Sequence, residues 1–394
     1  MPEHENPTKS FFLLKKSTEP EIGFTTGTCA AASTVAAVRM LLTGETVPYV
    51  ILTTPKGIKV SIEISDQNFS EEKASCSVRK FSGTDPDVTN GIKIFSSVRK
   101  ISNASGEIKI SGGRGVGRVT LPGLDQNVGE AAINRVPRQM IIEGIRTELN
   151  KFCKEPVSFG ISVEINVPEG EEIAKQTFNP KLGIVGGISI LGTSGIVEPM
   201  SEQALLDTIK LEINVRKSQG FRILSIVPGN YGADFLKEEF DFSIEKAVHC
   251  SNFVYDSLVM AKNAGFRKIL FCGHIGKLVK VAGGIKNTHS KYGDHRMEII
   301  TRLAKKFVSA ERFLSLSEEI MKCISTEQAV KVLDSLDGNH ETRDKIMMEM
   351  ASQIQSQMRE WTSGDVEIEV VIFTKEHGLL AETAGVRDLL KLGV

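Results

Sequence analysis

The chain has 394 residues, 41% hydrophobic and 25% charged, which excludes a disordered polymer and leaves room for two domains with a core in each. Its 48 basic and 49 acidic residues give a formal net charge of -1, so no global basic field draws it to nucleic acid or to an anionic membrane. Aromatics at 6% and one tryptophan argue against a stacking platform for single strands.

Residues 1–20 read as a polar tail, whose four consecutive apolar residues are too few for a signal-peptide core. In "GFTTGTCAAAS", residues 23–33, Thr26 or Thr28 is a good N-cap for the helix-forming run "CAAASTVAAVRMLL". A helix start can also hold a carboxylate or phosphate, and a cysteine there, Cys29, would have a lowered pKa. Cap alone, or cap and ligand contact, both stand. "YVILTTPKGIKVSIEIS" gives two strands around a Pro-Lys-Gly turn, with Ile58, Val60, Ile62 and Ile64 alternating with polar residues. "KASCSVRKF", "GIKIFSSVRK" and "GEIKIS" add strands, Pro137 opens a helix over about 137–152, and "SFGISVEINVP" restores the two-residue period. Residues 21–180 are therefore expected to form an α+β domain.

After residue 180 the pattern changes. "KLGIVGGISILGT" reads as a continuous apolar strand, followed by a helix over about 201–219. "RILSIVPGNYG" is a strand running into a loop, with a helix over about 243–263 behind it, and "RKILFCGHIG" is a third strand and turn. Helices come next over about 294–359, then a late strand, "VEIEVVIF". Strands apolar on both faces and alternating with helices predict a Rossmann-like three-layer α/β/α domain with a mainly parallel sheet over 181–394. The longest uncharged run, 182–197, is shorter than a membrane span and carries five glycines.

Several stretches carry candidate chemistry. Gly113, Gly115 and Gly117 are spaced GxGxG, and the residues after them are strand-like, which rejects a dinucleotide fingerprint. Arg114 and Arg118 on that backbone, with Arg135 and Arg138 nearby in sequence, suit carboxylates or are simply solvated. "CGHIGKL" lacks the first glycine and the Ser/Thr of a Walker loop. It does place His274 and Lys277 at a helix start after a strand. "VPGNYG" and "GTSGIVEPMS" are expected at the same sheet edge, where ligands of parallel sheets bind. "GTDPDVTNG" is an Asp-Pro turn, since the calcium-loop glutamate position holds Ser96. Cys272, His274 and His249 lack paired zinc spacing, so no protein-bound metal is expected. Six cysteines without a CxxC fit a reducing compartment and a cytoplasmic protein.

Taken in order, "GFTTGTCAAAS", "DPDVTNG", "GVGRVTLPGL", "AINRVPRQMI", "GGISILGTSGIVEPMS", "PGNYG" and "GHIGKLVKVAGG" resemble the CbiD family from about residue 20 to about 290, with a looser match beyond. The charged N-terminal extension and Arg135, where the family pattern has proline, depart from it. The resemblance implies transfer of a methyl group from S-adenosylmethionine to ring carbon C-1 of cobalt-precorrin-5B, giving cobalt-precorrin-6A, in anaerobic cobalamin biosynthesis. Cobalt then belongs to the substrate. On that reading the methyl donor is expected on the three glycine loops of the sheet edge, at Gly186, Gly187, Thr193, Ser194, Glu198, Gly229, Asn230, Tyr231, Gly232, Gly273 and Gly276. The carboxylate-rich corrinoid is expected against Thr25, Thr26, Thr28, Arg114, Arg118, Arg138 and Lys277, with His274, Asp85 and Asp87 as candidate catalytic residues. A dinucleotide-dependent reductase and a non-catalytic tetrapyrrole carrier are the competing classes. A homo-oligomer is compatible with the sequence.

Overall fold

The computed structural model describes residues 22–102, 106–153, 157–198, 201–242 and 246–392. The polar tail expected at 1–20 falls outside these, as do the first three residues of the helix expected over 243–263. That helix begins only at Val254, and Val248–His249 form a strand in its place. Two compact units divide at Ser201/Glu202, except that Pro122–Leu124 belong to the second.

The first unit opens with β1 (Gly23–Phe24) and α1 (Thr26–Thr43). Then come β2 (Tyr49–Thr53), β3 (Lys59–Glu63), β4 (Ser65–Phe69), β5 (Lys73–Arg79), β6 (Lys93–Ser102), β7 (Ile108–Gly112), β8 (Gly115–Val116) and β9 (Arg118–Val119). The unit continues through α2 (Arg135–Phe152), β10 (Phe159–Asn166), α3 (Gly170–Ala174), β11 (Ile184–Val185), β12 (Gly187–Ile188) and β13 (Ile196–Val197). Its main sheet has the order β4-β5-β6-β10-β7, antiparallel apart from the β10/β7 pair. The alternation read in β10 buries Ile161, Val163 and Ile165. The alanine-rich α1 is buried almost throughout, because side chains no larger than a methyl group let its backbone lie close to sheet and to α2. Its cap is Thr25, neither of the expected Thr26 and Thr28: Thr25 is extended, and its Oγ1 accepts from the Thr28 N–H at 3.2 Å.

Residues 181–198 differ from expectation. The apolar run is not one strand of the parallel sheet. Gly186 (φ 80°) and Gly192 (φ 138°) hold left-handed conformations that turn the chain instead of extending it. The pieces pair within the first unit, β11 with β9, β12 with β8 and β13 with β1.

The second unit runs through α4 (Glu202–Ser218), β14 (Ile223–Val227), α5 (Asn230–Phe240), β15 (Val248–His249), α6 (Val254–Asn263), β16 (Lys268–His274) and α7 (Ile275–Ala282). It ends with α8 (Arg296–Ala304), α9 (Ala310–Met321), α10 (Thr326–Asp334), α11 (Glu341–Trp361), β17 (Glu367–Thr374), β18 (Gly378–Glu382) and α12 (Val386–Lys391). The sheet order is β15-β14-β16-β17-β18, parallel except for β18. Leu224, Ile226, Ile269 and Phe271 pack into a cluster with α4, α6, α7 and α11. The alternate residues Ile223, Val227, Leu270 and Cys272 pack with α5 and α12. Both faces of the sheet are therefore covered, which is why its strands read as unbroken apolar runs. Among the described residues no helix is long and apolar enough to cross a membrane.

Candidate functional site

Four parallel strands of the second unit deliver their carboxyl ends to one edge. β14 is flanked by β15 on one side and β16 on the other, so the connections leave in opposite directions between β14 and β16. Such a reversal opens a crevice outside the strand ends. Gly229 stands there as the N-cap of α5, and no side chain caps that helix. A Cβ added at Gly229 would meet nothing within 4 Å. Asn230, Tyr231 and Gly232, expected as loop, form the first turn of α5 instead, so the start of a helix, with its outward N–H groups, faces this edge. Tyr231 is 59% exposed, with the Lys375 Nζ 3.5 Å from its ring centre. Gly232 lets α5 approach β16: a Cβ there would lie 3.0 Å from the Cys272 carbonyl oxygen.

The β16 end is equally ordered. His274 caps α7, its Nδ1 accepting from the Gly276 N–H at 3.0 Å. The neutral ring then carries its proton on Nε2, 3.1 Å from Glu327 Oε1, and the Phe373 ring meets it edge to face. Gly273 lies close under Leu278. Lys277, expected to hold substrate, donates instead to the carbonyl oxygens of Pro228 (3.1 Å) and Ser251 (3.2 Å). It ties together the ends of β14 and β15, and burial lowers its pKa from the ordinary lysine range.

The other expected site residues lie in the first unit, including the third glycine loop. Thr193 borders a cavity of about 250 Å³ with Asp125, Asn134 and Arg135. Ser194 donates to the Ile196 carbonyl, and Glu198 pairs with Lys56. Gly186 has open space where a side chain would stand, whereas a Cβ on Gly187 would fall 2.2 Å from the Gly115 carbonyl oxygen. The threonines of "TTGTC" are buried and engaged. Thr26 Oγ1 lies 3.1 Å from the Leu191 carbonyl oxygen and 2.9 Å from the Leu191 N–H, and Thr28 donates to the Gly195 carbonyl at 2.6 Å. They fasten α1 to the 189–195 segment. Cys29 departs from the nucleophile reading, because burial pushes its thiol up to about 12. Arg114 and Arg118 are exposed, Arg118 with one hydrogen bond to Gly129 O. Arg138 is half-buried and donates to the Ile133 and Ile110 carbonyls.

Asp85 is half-buried in the Asp-Pro turn. Asp87 has a structural partner in Lys80, whose Nζ lies 2.6 Å away, with the two side chains 2% (Lys80) and 25% (Asp87) exposed. Burial alone would raise the Asp87 carboxyl, but the Lys80 ammonium and the Thr89 hydrogen bonds outweigh it and hold it below the usual carboxylate range. Asp87→Asn is expected to lower unfolding stability by about 3 kcal/mol in urea at pH 7, since it strands a buried lysine. A folded pKa below the unfolded one means that the Asp87 contribution is complete above about pH 4 and is lost as pH falls through the folded value. The stability gap between wild type and variant should therefore close in acid. A gap that does not change between pH 7 and pH 3 counts against the ion pair.

Glu327 and Lys375 escaped the sequence reading. They reach this edge from elements far from His274 in sequence, and no local spacing announces them.

A family model described as CbiD matches residues 14–199, and one described as CbiD, C-terminal domain, matches residues 287–384. A cobalt-precorrin-5B C(1)-methyltransferase of Ruminiclostridium cellulolyticum is 43% identical over 385 residues, covering 96% of this chain and 97% of that one. Proteins of the same name from Alkaliphilus metalliredigens (97% of each chain) and Listeria welshimeri (94% of this chain, 95% of that one) are each 40% identical. A solved structure of a cobalamin biosynthesis protein (cbiD) from Archaeoglobus fulgidus is 31% identical, covers 69% of this chain and 83% of that one, and has a TM-score of 0.38. With two family models matching and relatives this similar over nearly their whole length, the chain belongs to the CbiD family.

Proposed function

We propose that the chain transfers a methyl group from S-adenosylmethionine to C-1 of cobalt-precorrin-5B, giving cobalt-precorrin-6A on the anaerobic route to cobalamin. The observation that carries this is 43% identity, over 97% of its length, to a relative bearing that activity in its name. The second unit is read as a Rossmann-like domain and the first as an α+β domain. The strand-order reversal between β14 and β16 supports a donor site there, on Gly229–Gly232 and Gly273–Gly276. Gly186, Gly187, Thr193, Ser194 and Glu198 belong to the first unit and are not loops of this sheet, so the donor site is drawn without them.

The first unit is read as the corrinoid side. Exposed Arg114, Arg118 and Arg135 offer forked hydrogen bonds to the peripheral carboxylates of the macrocycle. Thr25, Thr26, Thr28, Arg138 and Asp87 are read as structural supports of the unit, because their polar atoms already have partners inside the fold. A cytoplasmic setting, without nucleic acid or membrane, is part of the same proposal and accords with the balanced charge.

The reaction is an in-line displacement. An electron pair of the conjugated macrocycle forms the new C–C bond at C-1, the S–CH3 bond breaks, and S-adenosylhomocysteine leaves. The pair from the broken S–CH3 bond neutralises the sulfonium, and the positive charge passes to the conjugated macrocycle, which sheds it as a proton. No strong base is needed, so alignment of the two reactants supplies most of the acceleration. His274, fixed by Gly276 and Glu327, is the residue placed for proton handling. The test is anaerobic incubation of the purified protein with cobalt-precorrin-5B and methyl-labelled S-adenosylmethionine. Label at C-1 is expected. Label at another ring carbon would change the product, and no transfer with intact donor binding would change the substrate.

A further inference from the structure

Beside the donor edge, three metal-ligating side chains of the second unit converge. A donor atom from each of Glu327, Glu376 and His377 lies within 4.8 Å of the other two. They come from separate elements: Glu327 is in the first turn of α10, while Glu376 and His377 lie in the turn between β17 and β18. The His377 N–H donates to Thr374 Oγ1 at 2.9 Å, which fixes that turn. Two polar atoms of these residues are left unmatched. Glu327 Oε2 and His377 Nε2 are both buried, and neither has a hydrogen-bond partner. Buried polar atoms are seldom left so unless an ion or water completes them.

The surrounding bonds set the protons in the sense a cation needs. His377 Nδ1 lies 3.4 Å from an Asp334 carboxylate oxygen, a contact that favours the tautomer protonated on Nδ1 and leaves the unpartnered Nε2 as the available donor atom. Glu327 Oε1 takes the Nε2–H of His274, whose tautomer is itself fixed by the Gly276 N–H. That leaves Oε2 as the anionic ligand. Glu376 is exposed and shares its Oε2 with Lys331 at 2.5 Å, so it is the displaceable third ligand.

We propose that Glu327, Glu376 and His377 bind a divalent transition cation, Zn2+ foremost, joining α10 to the β17–β18 turn. One imidazole nitrogen and two carboxylates suit zinc, and three protein ligands leave a fourth position for water. The competing arrangement is a doubly protonated His377 paired with Glu327 and Asp334, which binds no metal. The cation site shares Glu327 with the hydrogen bond that orients His274, but zinc affinity is read without donor or corrinoid, so failure of the site and failure of methyl transfer are distinguishable.

The full-length protein, stripped with chelator, is titrated with ZnCl2 by calorimetry, and its metal content is measured after gel filtration. One zinc per chain is expected, with a rise in melting temperature on loading. His377→Ala and Glu376→Gln should each weaken binding at least 10-fold, and Asp334→Asn by about 10–100-fold with all three ligands intact. Glu376 is exposed, so its variant keeps the fold and guards against a loss caused by unfolding. His289→Ala, an exposed histidine outside the cluster, should bind zinc as wild type does. No saturable zinc binding, or binding undiminished in both His377→Ala and Glu376→Gln, overturns the site.

Discussion

Gly229→Phe is expected to leave the melting temperature where it is and to remove S-adenosylmethionine binding. The two halves of that expectation have different origins. Gly229 is extended, with φ 178°, a conformation open to any residue. Nothing stands within 4 Å of an added Cβ, so the fold has no reason to resist the side chain. The same open space is the crevice in which the donor is placed, at the start of α5 and opposite the His274–Gly276 turn. A benzyl group there should weaken the donor on the order of 100-fold, close to 3 kcal/mol. Calorimetry with S-adenosylhomocysteine reads the affinity, and a thermal melt of the same sample reads the fold. Unchanged affinity with an unchanged melt would move the donor away from this edge.

Gly115→Ala should do the reverse and prevent the first unit from folding. Gly115 has φ 70°, and an added Cβ would fall 1.8 Å from the Val167 carbonyl oxygen, a backbone atom that cannot swing aside. Gly170 and Gly187 crowd the same point, each approaching the Gly115 carbonyl oxygen within 2.2 Å of where its own Cβ would stand. Three segments of chain cross there, and only hydrogens fit between them. A loss greater than ~4 kcal/mol is expected, the range reached by overpacking against a strained backbone. Gly57→Ala is the control. It shares the left-handed conformation, with φ 83°, but has open space around it, so it should cost only about 1–2 kcal/mol. Circular dichroism and urea titration of both variants separate steric exclusion from the φ penalty alone. Equal effects in the two would dismiss the crossing point.

That pair also explains what the sequence could and could not reveal. The two-residue period of β3 and β10 and the unbroken apolar runs of β14, β16 and β17 were readable because each reflects which faces are buried. The run at 181–193 is equally apolar, yet apolarity does not say which sheet a segment joins, and its left-handed glycines send it to β8 and β9. The GxGxG stretch was readable as no dinucleotide loop, but the reason for its glycines was not. They allow close crossings with Val167 and Gly187, which lie far along the chain. The sheet edge was legible through glycines placed just after apolar strands. The partners of the threonines were not, since Thr26 and Thr28 bond to Leu191 and Gly195. Glu327 stayed invisible for the same reason: 53 residues separate it from His274.

The assignment of Pro122–Leu124 to the second unit sets how the chain can be dissected. Gly123 lies against α4, where an added Cβ would sit 2.9 Å from the Asn214 carbonyl oxygen and 3.0 Å from the Val215 Cα. A fragment starting at Glu202 would therefore lack a tripeptide of its own wall and bare part of α4. During synthesis that tripeptide leaves the ribosome well before α4 does, so the second unit is completed around a piece made with the first. Expressing the halves separately calls for residues 122–124 to be supplied to the C-terminal fragment, by a linker or a circular permutation, before its folding or donor binding is judged.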